Sequence, residues 1–138
     1  MTIHAFTDGA SRGNPGESGI GIVLKDVEGR LVQSYSEYIG SATNNVAEYT
    51  ALLKCLQLAS AVQCNELIVH SDSELMVRQL NGVYKIRDRA LKQFYQRIQD
   101  LLRNASYTAQ FKYIVREENS EADELANHGI DTKKRVHV

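Results

Sequence analysis

The chain has 138 residues, of which 43% are hydrophobic and 24% charged, with a formal net charge of −1. That size suits one domain, residues 1–138, with a core of its own and no need of disulfides or structural metal. The balanced charge argues against tight non-specific binding to nucleic acid, although it leaves room for a local basic patch. No apolar run approaches the ~20 residues that a membrane-spanning helix requires. The opening Met1-Thr2-Ile3-His4 lacks a basic segment followed by an apolar one, so no signal peptide is expected and the cytoplasm is the expected compartment. The two cysteines, Cys55 and Cys64, have no histidine near them in sequence and read as reduced thiols rather than a zinc site.

Residues 2–8 alternate, with Ile3, Ala5 and Thr7 set against His4, Phe6 and Asp8, which is strand period. The Gly-rich turn Arg12-Gly13-Asn14-Pro15-Gly16 follows. Two further β-like runs, Gly19 to Lys25 and Leu31 to Ile39, flank a short spacer containing Gly29, as in a hairpin. The period then changes: Val46, Tyr49, Leu52, Leu53 and Leu56 follow helical spacing. Asn44 or Asn45 can cap this helix, with Glu48 in its first turn.

Leu67-Ile68-Val69 is a short continuous apolar run of the kind found in strands buried on both faces. A short helix is expected from Ser73 to about Leu80, stopped by Asn81-Gly82. Leu91, Phe94, Tyr95, Ile98, Leu101 and Leu102 mark an amphipathic helix. Tyr107 to Val115 alternates again, and a last helix begins near Asn119-Ser120. Residues 131–138, rich in lysine and arginine, are expected to form a flexible tail. The order predicts an α/β fold with a mixed five-stranded sheet, three antiparallel strands followed by two parallel ones, flanked by helices.

In such a sheet, ligands gather beyond the carboxyl ends of the parallel strands. Asp8 ends the first strand and Asp72 lies just past the fourth. Glu48 and Asp123 open two helices that start at the same edge, so four carboxylates can converge. Two charges ~4 Å apart repel by about 4 kcal/mol at an effective dielectric of ~20. Such a cluster persists only if protonated or neutralised by cations. Oxygen-only ligands suit Mg²⁺ or Mn²⁺, and a pair of such ions suits phosphoryl transfer to water. Each acid alone has a plainer reading: Asp8 as a turn residue, Glu48 as a complement to the helix dipole, Asp72 as a cap and Asp123 as a solvated helix acid. Their joint placement carries the functional case.

The segment Thr7-Asp8-Gly9-Ala10-Ser11-Arg12-Gly13-Asn14-Pro15-Gly16 resembles the opening motif of type 1 ribonuclease H. Thr43-Asn44-Asn45-Val46-Ala47-Glu48, Ser71-Asp72-Ser73 and Asn119-Ser120-Glu121-Ala122-Asp123-Glu124-Leu125-Ala126 resemble its second, third and fourth motifs, in order along nearly the whole chain. The resemblance implies a ribonuclease H-like fold and an endonuclease that hydrolyses the RNA strand of an RNA–DNA hybrid, leaving 5′-phosphate ends. It implies that Asp8, Glu48, Asp72 and Asp123 hold two Mg²⁺ ions: Asp8 bridges them, Glu48 and Asp72 complete the leaving side, and Asp123 serves the ion near the attacking water. It also implies that Gly9, Ala10, Ser11, Asn14, Asn44, Asn45 and Glu48 itself contact the RNA strand, whose 2′-hydroxyl separates it from DNA, and that Thr43 touches a DNA phosphate.

Two departures stand out. The histidine that many members carry before the fourth motif is absent from the short loop Val115-Arg116-Glu117-Glu118-Asn119, where Arg116 occupies the corresponding region. Arginine is no base at neutral pH, but it can bind phosphate or help product leave. Longer relatives also insert a basic helix and loop after the region of Gly82. Here only Val83-Tyr84-Lys85-Ile86-Arg87-Asp88 is present, and Lys85, Arg87, Arg89 and Lys92 offer a reduced basic edge with a weaker, more salt-sensitive grip. Against the enzyme reading stand a non-catalytic nucleic-acid-binding module, a DNA-directed nuclease on the same scaffold, and a protein-binding domain whose acids are only caps.

Overall fold

A computed structural model describes all 138 residues. Its sheet has six strands: β1 (Thr2–Gly13), β2 (Gly16–Lys25), β3 (Leu31–Ala42), β4 (Glu66–Ser71), β5 (Thr108–Tyr113) and β6 (Arg135–His137), in the order β5-β4-β1-β2-β3-β6. The helices are α1 (Asn44–Ala61), α2 (Glu74–Leu80), α3 (Arg89–Arg103) and α4 (Ser120–Thr132), the last entered through a 3₁₀ turn at Arg116–Asn119. No helix is long and apolar enough to cross a membrane.

The antiparallel meander β1-β2-β3 and the parallel pairs β1-β4 and β4-β5 form as the periodicities predict. The sheet has one strand more than expected, because the basic tail is not free. Lys133, in the left-handed region at φ 52°, turns the chain back after α4. Arg135–His137 then pairs antiparallel with β3, and Ser34 and Val138 exchange both backbone hydrogen bonds at 2.9 and 3.0 Å. The outer edge of β3 supplies unpaired ladder groups, and a short charged edge strand is a common way to close such an edge. A run of lysine and arginine concealed this role in the sequence.

α1 is buried nearly all round, at Ala47, Tyr49, Ala51, Leu52, Leu53, Cys55, Leu56 and Ala59, because the sheet lies on one side of it and α3 on the other. Ile3, Ala5, Ile20, Ile22, Leu24 and Leu67 of the sheet meet it in the main core. Full burial of each Ile or Leu side chain is worth about 1.5–3 kcal/mol. Cys55 and Cys64 are free and buried, as core residues.

α4 packs against the opposite face, over β2 and β3. The seam is built of small residues. A Cβ at Gly21 would lie 2.1 Å from the Ala122 carbonyl oxygen, and one at Gly19 would lie 2.2 Å from that of Ala126. Gly129 in turn sits against the Glu37 backbone of β3. Ser36 Oγ donates to the Leu125 carbonyl at 2.6 Å across the same seam. The helix therefore rests on the sheet backbone itself, which fixes its height.

Gly21→Ala should lift α4 and cost about 1–3 kcal/mol in urea unfolding, the usual range for overpacking. An unchanged midpoint would show that α4 does not lie this close to β2.

Candidate active site

β4 ends at Ser71, level with Thr7 of β1. Beyond that point β1 continues without a ladder partner on that edge, and two of its backbone groups are taken over by side chains. The Thr7 carbonyl accepts from Asn119 Nδ2 at 2.8 Å, and the Gly9 N–H donates to Glu48 Oε1 at 2.7 Å. Gly9 has no side chain because there is no room for one: a Cβ there would lie 2.2 Å from the Ala47 carbonyl carbon.

Asp8 pairs with Gly21, so its side chain leaves the sheet on the face covered by α4. Glu48 arrives from α1 on the other face, and the two layers meet at the sheet end. The helix cap differs from expectation. Thr43, rather than Asn44 or Asn45, caps α1, its hydroxyl accepting from Val46 N at 3.2 Å. Glu48 is consequently the fifth residue of the helix, beyond the first turn. The Gly9 N–H supports its carboxylate, and the helix dipole contributes little at that depth. Ser73 caps α2 by accepting from Met76 N at 3.3 Å, which leaves Asp72 free of that duty.

Carboxylate oxygens of Asp8, Glu48 and Asp72 all lie within 4.8 Å of one another. Asp123, in the first turn of α4, stands outside that close group but lines the same cleft of about 520 Å³. Gly9, Ala10, Ser11, Asn44 and Asn45 line it too, and so does Arg116. Asn14 and Thr43 lie beside an adjoining small cavity shared with Asn45. Asn14 Oδ1 accepts from the Asn44 N–H at 3.1 Å and so ties the β1–β2 hairpin to the start of α1.

Asp8, Glu48 and Asp72 hold their protons above the ordinary carboxylate range. For Asp8 the main cause is burial, followed by the charges of Glu48 and Asp72. Burial also raises Glu48, and the Gly9 N–H opposes it. Asp72 is raised by burial and drawn back by the positive charge of Arg116. The donor set is all hard oxygen, with no thiolate or imidazole, which fits a divalent cation of the Mg²⁺ or Mn²⁺ type. Such an ion would offset the burial and the mutual repulsion that together hold these protons on.

The histidines do not join the site. His70 stacks on Phe6 and its Nε2 lies 3.0 Å from His4 Nδ1, on β4 and β1. Tyr113, Arg12 and Asn127 also line the cleft and were not singled out in the sequence. For Asn127, its place one helical turn after Asp123 was the available signal.

Residues 6–129 match a family model described as reverse transcriptase-like. The chain is 37% identical over 129 residues to ribonuclease HI of Halobacterium salinarum, which is 94% of this chain and 64% of that protein. It is 38% identical over 132 residues to a bifunctional protein of Mycobacterium tuberculosis, covering 95% of this chain and 36% of that one. The chain thus spans less than two thirds of the length of these curated relatives. Among solved structures, it superposes with a TM-score of 0.90 and 41% identity on LC11-RNase H1 in complex with an RNA/DNA hybrid, covering 95% of this chain and 98% of the other. The RNase H1 of Halobacterium salinarum gives a TM-score of 0.90 at 36% identity, over 96% and 99% of the two chains.

The mixed sheet, the helices on both faces and the acids gathered beyond β1 and β4 define a ribonuclease H-like domain. The chain belongs to the type 1 ribonuclease H family.

The proton affinities set a sign for stability. Asp8 binds its proton more tightly in the folded protein than in the unfolded chain. Its contribution to stability is therefore full below the unfolded value of about 3.9 and is lost as pH rises. In EDTA, Asp8→Asn should melt higher than the native sequence at pH 8, by about 3–8 °C, a range matching ~1–2 kcal/mol for a domain of this size. The gain should shrink at pH 5. Mg²⁺ should stabilise the native sequence and leave the variant unmoved. A variant that melts at or below the native protein at pH 8 would show that an ionised Asp8 carries no such cost in the fold.

Proposed function

We propose that this protein is an endonuclease that hydrolyses the RNA strand of an RNA–DNA hybrid and leaves 5′-phosphate ends. The observation that carries the reading is the meeting of Asp8, Glu48 and Asp72, from three different elements, within 4.8 Å. Asp8, Glu48 and Asp72 would hold two divalent cations, Mg²⁺ or Mn²⁺, and Asp123 would complete the set from α4. Bound there, the cations supply Lewis acidity, activating water and offsetting charge on the phosphodiester.

The remaining residues bind and orient. Backbone groups of Gly9, Ala10 and Ser11 and the side chains of Asn44 and Asn45 face the RNA strand across the cleft. Amides both donate and accept, which suits a 2′-hydroxyl. Asn14 uses its carbonyl oxygen on the Asn44 N–H, which leaves its Nδ2 to donate to the substrate. Thr43, at the start of α1, meets a phosphate of the DNA strand, where the unpaired N–H groups of the helix also favour an anion. Arg116, at the cleft wall, engages the phosphate being cut or helps it leave. LC11-RNase H1, a structure in complex with an RNA/DNA hybrid, supports the hybrid as the substrate here.

Purified protein should be incubated with labelled RNA–DNA hybrid, duplex DNA and duplex RNA, each with Mg²⁺, Mn²⁺ or EDTA. Only the RNA strand of the hybrid should be cut, and only with metal. Asp8→Asn should lose at least about 100-fold, as when one main electrostatic stabiliser is removed. Cutting of duplex DNA, or full activity in EDTA, would overturn the assignment. Arg116→Ala should lower kcat/KM about 10- to 100-fold, the equivalent of a charge-assisted hydrogen bond of ~1.5–3 kcal/mol; unchanged turnover would remove Arg116 from the mechanism.

A further inference from the structure

Asp123 differs from the other three acids in how it is held. Glu48 is tied to the Gly9 N–H, Asp8 lies within β1 just past the point where β4 stops, and Asp72 directly follows β4. Asp123 has one side-chain partner, Asn127, whose Nδ2 donates to Asp123 Oδ1 at 3.3 Å and to its carbonyl at 3.0 Å. Asn127 is itself held from the far side. Arg12, at the tip of β1, donates through Nη2 to Asn127 Oδ1 at 3.2 Å and through Nη1 to Asp131 Oδ1 at 2.6 Å. The order is Asp131, Arg12, Asn127, Asp123.

The chemistry of the partners fixes the direction of this chain. A guanidinium only donates and an ionised carboxylate only accepts. An amide placed between the two has one satisfactory orientation, with oxygen toward Arg12 and nitrogen toward Asp123. Without Arg12 the amide is free to turn, and its carbonyl oxygen would then face the Asp123 carboxylate. Arg12 also spans two layers, since it leaves the β1–β2 hairpin and grips α4.

We propose that Asn127 is the positioning residue of Asp123, and that Arg12, anchored by Asp131, sets the orientation of Asn127. The proposal rests on the reading of the four acids as the cation site. It assigns Arg12 a role within the protein, although this side chain stands half-exposed at the cleft wall, where a direct contact with nucleic acid is the competing use.

The test combines Mn²⁺ binding to the protein alone, followed by electron paramagnetic resonance, with steady-state cleavage of a labelled hybrid. Asn127→Leu should weaken Mn²⁺ binding and lower kcat, each by about 10-fold, the lower end of what loss of an orienting partner costs a metal ligand, with KM within about twofold. Arg12→Met, at an exposed position that leaves folding intact, should change both in the same direction by about 3-fold, a fraction of that loss. Asn127→Gln, which retains the donor, should recover part of the binding. The double variant Arg12→Met/Asn127→Leu should be no worse than Asn127→Leu alone, because Arg12 acts through Asn127. Additive losses, or a raised KM for Arg12→Met at unchanged kcat, would overturn the role of Arg12 in favour of a contact with nucleic acid. Native protein that binds Mn²⁺ beside an Asn127→Leu variant that binds it equally well would overturn the positioning role alone. Native protein that binds no Mn²⁺ would overturn the reading of the site, and this inference with it.

Discussion

At Gly9 the backbone of α1 approaches β1 to a distance that no side chain could survive. This contact sets the geometry of the open end of the sheet. It brings Ala47 against the strand, so that the next residue, Glu48, reaches the Gly9 N–H with its carboxylate. Gly9 follows Asp8 directly. The separation of these two acids is therefore fixed by packing between a helix and a strand. Their own interaction is repulsive, and only a rigid support could keep them together. That support is the main core, where Ile3, Ala5, Leu52 and Leu56 are fully buried between β1 and α1.

The acids then carry a cost that the core offsets. Two like charges ~4 Å apart cost about 4 kcal/mol at an effective dielectric of ~20, comparable to the burial of two large apolar side chains. A domain of this size is stable by only about 5–15 kcal/mol, so the strain is significant but tolerable. Holding a proton relieves part of it, and Arg116 relieves another part at Asp72. A site arranged this way favours divalent cations because their binding removes a penalty already present in the fold.

Much of this was legible in the sequence because the signals were local or periodic. Alternation marked β1 and β5, helical spacing marked α1 and α3, and the order of the elements placed the acids at one edge, although β1 runs on past Asp8 and Glu48 lies beyond the first turn of α1. The extents of the strands were not legible. β1, β2 and β3 all run further toward the Gly-rich hairpin and the start of α1 than their alternation shows, because Ser11, Arg12 and Gly16 keep the ladder without an apolar pattern. Thr43 was hidden as a cap by the two asparagines after it, both acceptable by residue type. β6 was hidden because all three residues of this edge strand are exposed, so backbone pairing rather than an apolar pattern holds it. Asn119 was visible as part of a motif, but its buried bond to the Thr7 carbonyl depends on where β4 stops, which no local pattern encodes.

The fourth acid follows a different logic from the other three. Asp8, Glu48 and Asp72 belong to β1, α1 and the end of β4, which share one core and behave as one body. Asp123 belongs to α4, whose seat is the glycine seam of β2 and β3 on the opposite face. Its position relative to the others therefore depends on how α4 rests on the sheet. The far end of that helix is tied down as well: Asp131 meets Arg12, Lys133 meets Glu17, and β6 closes on β3. These contacts lie up to two or three turns from Asp123, along a helix that transmits displacement as a rigid rod. A tail that adds little to the core thus helps to fix the fourth carboxylate, because holding one end of α4 against the sheet limits where the other end can go.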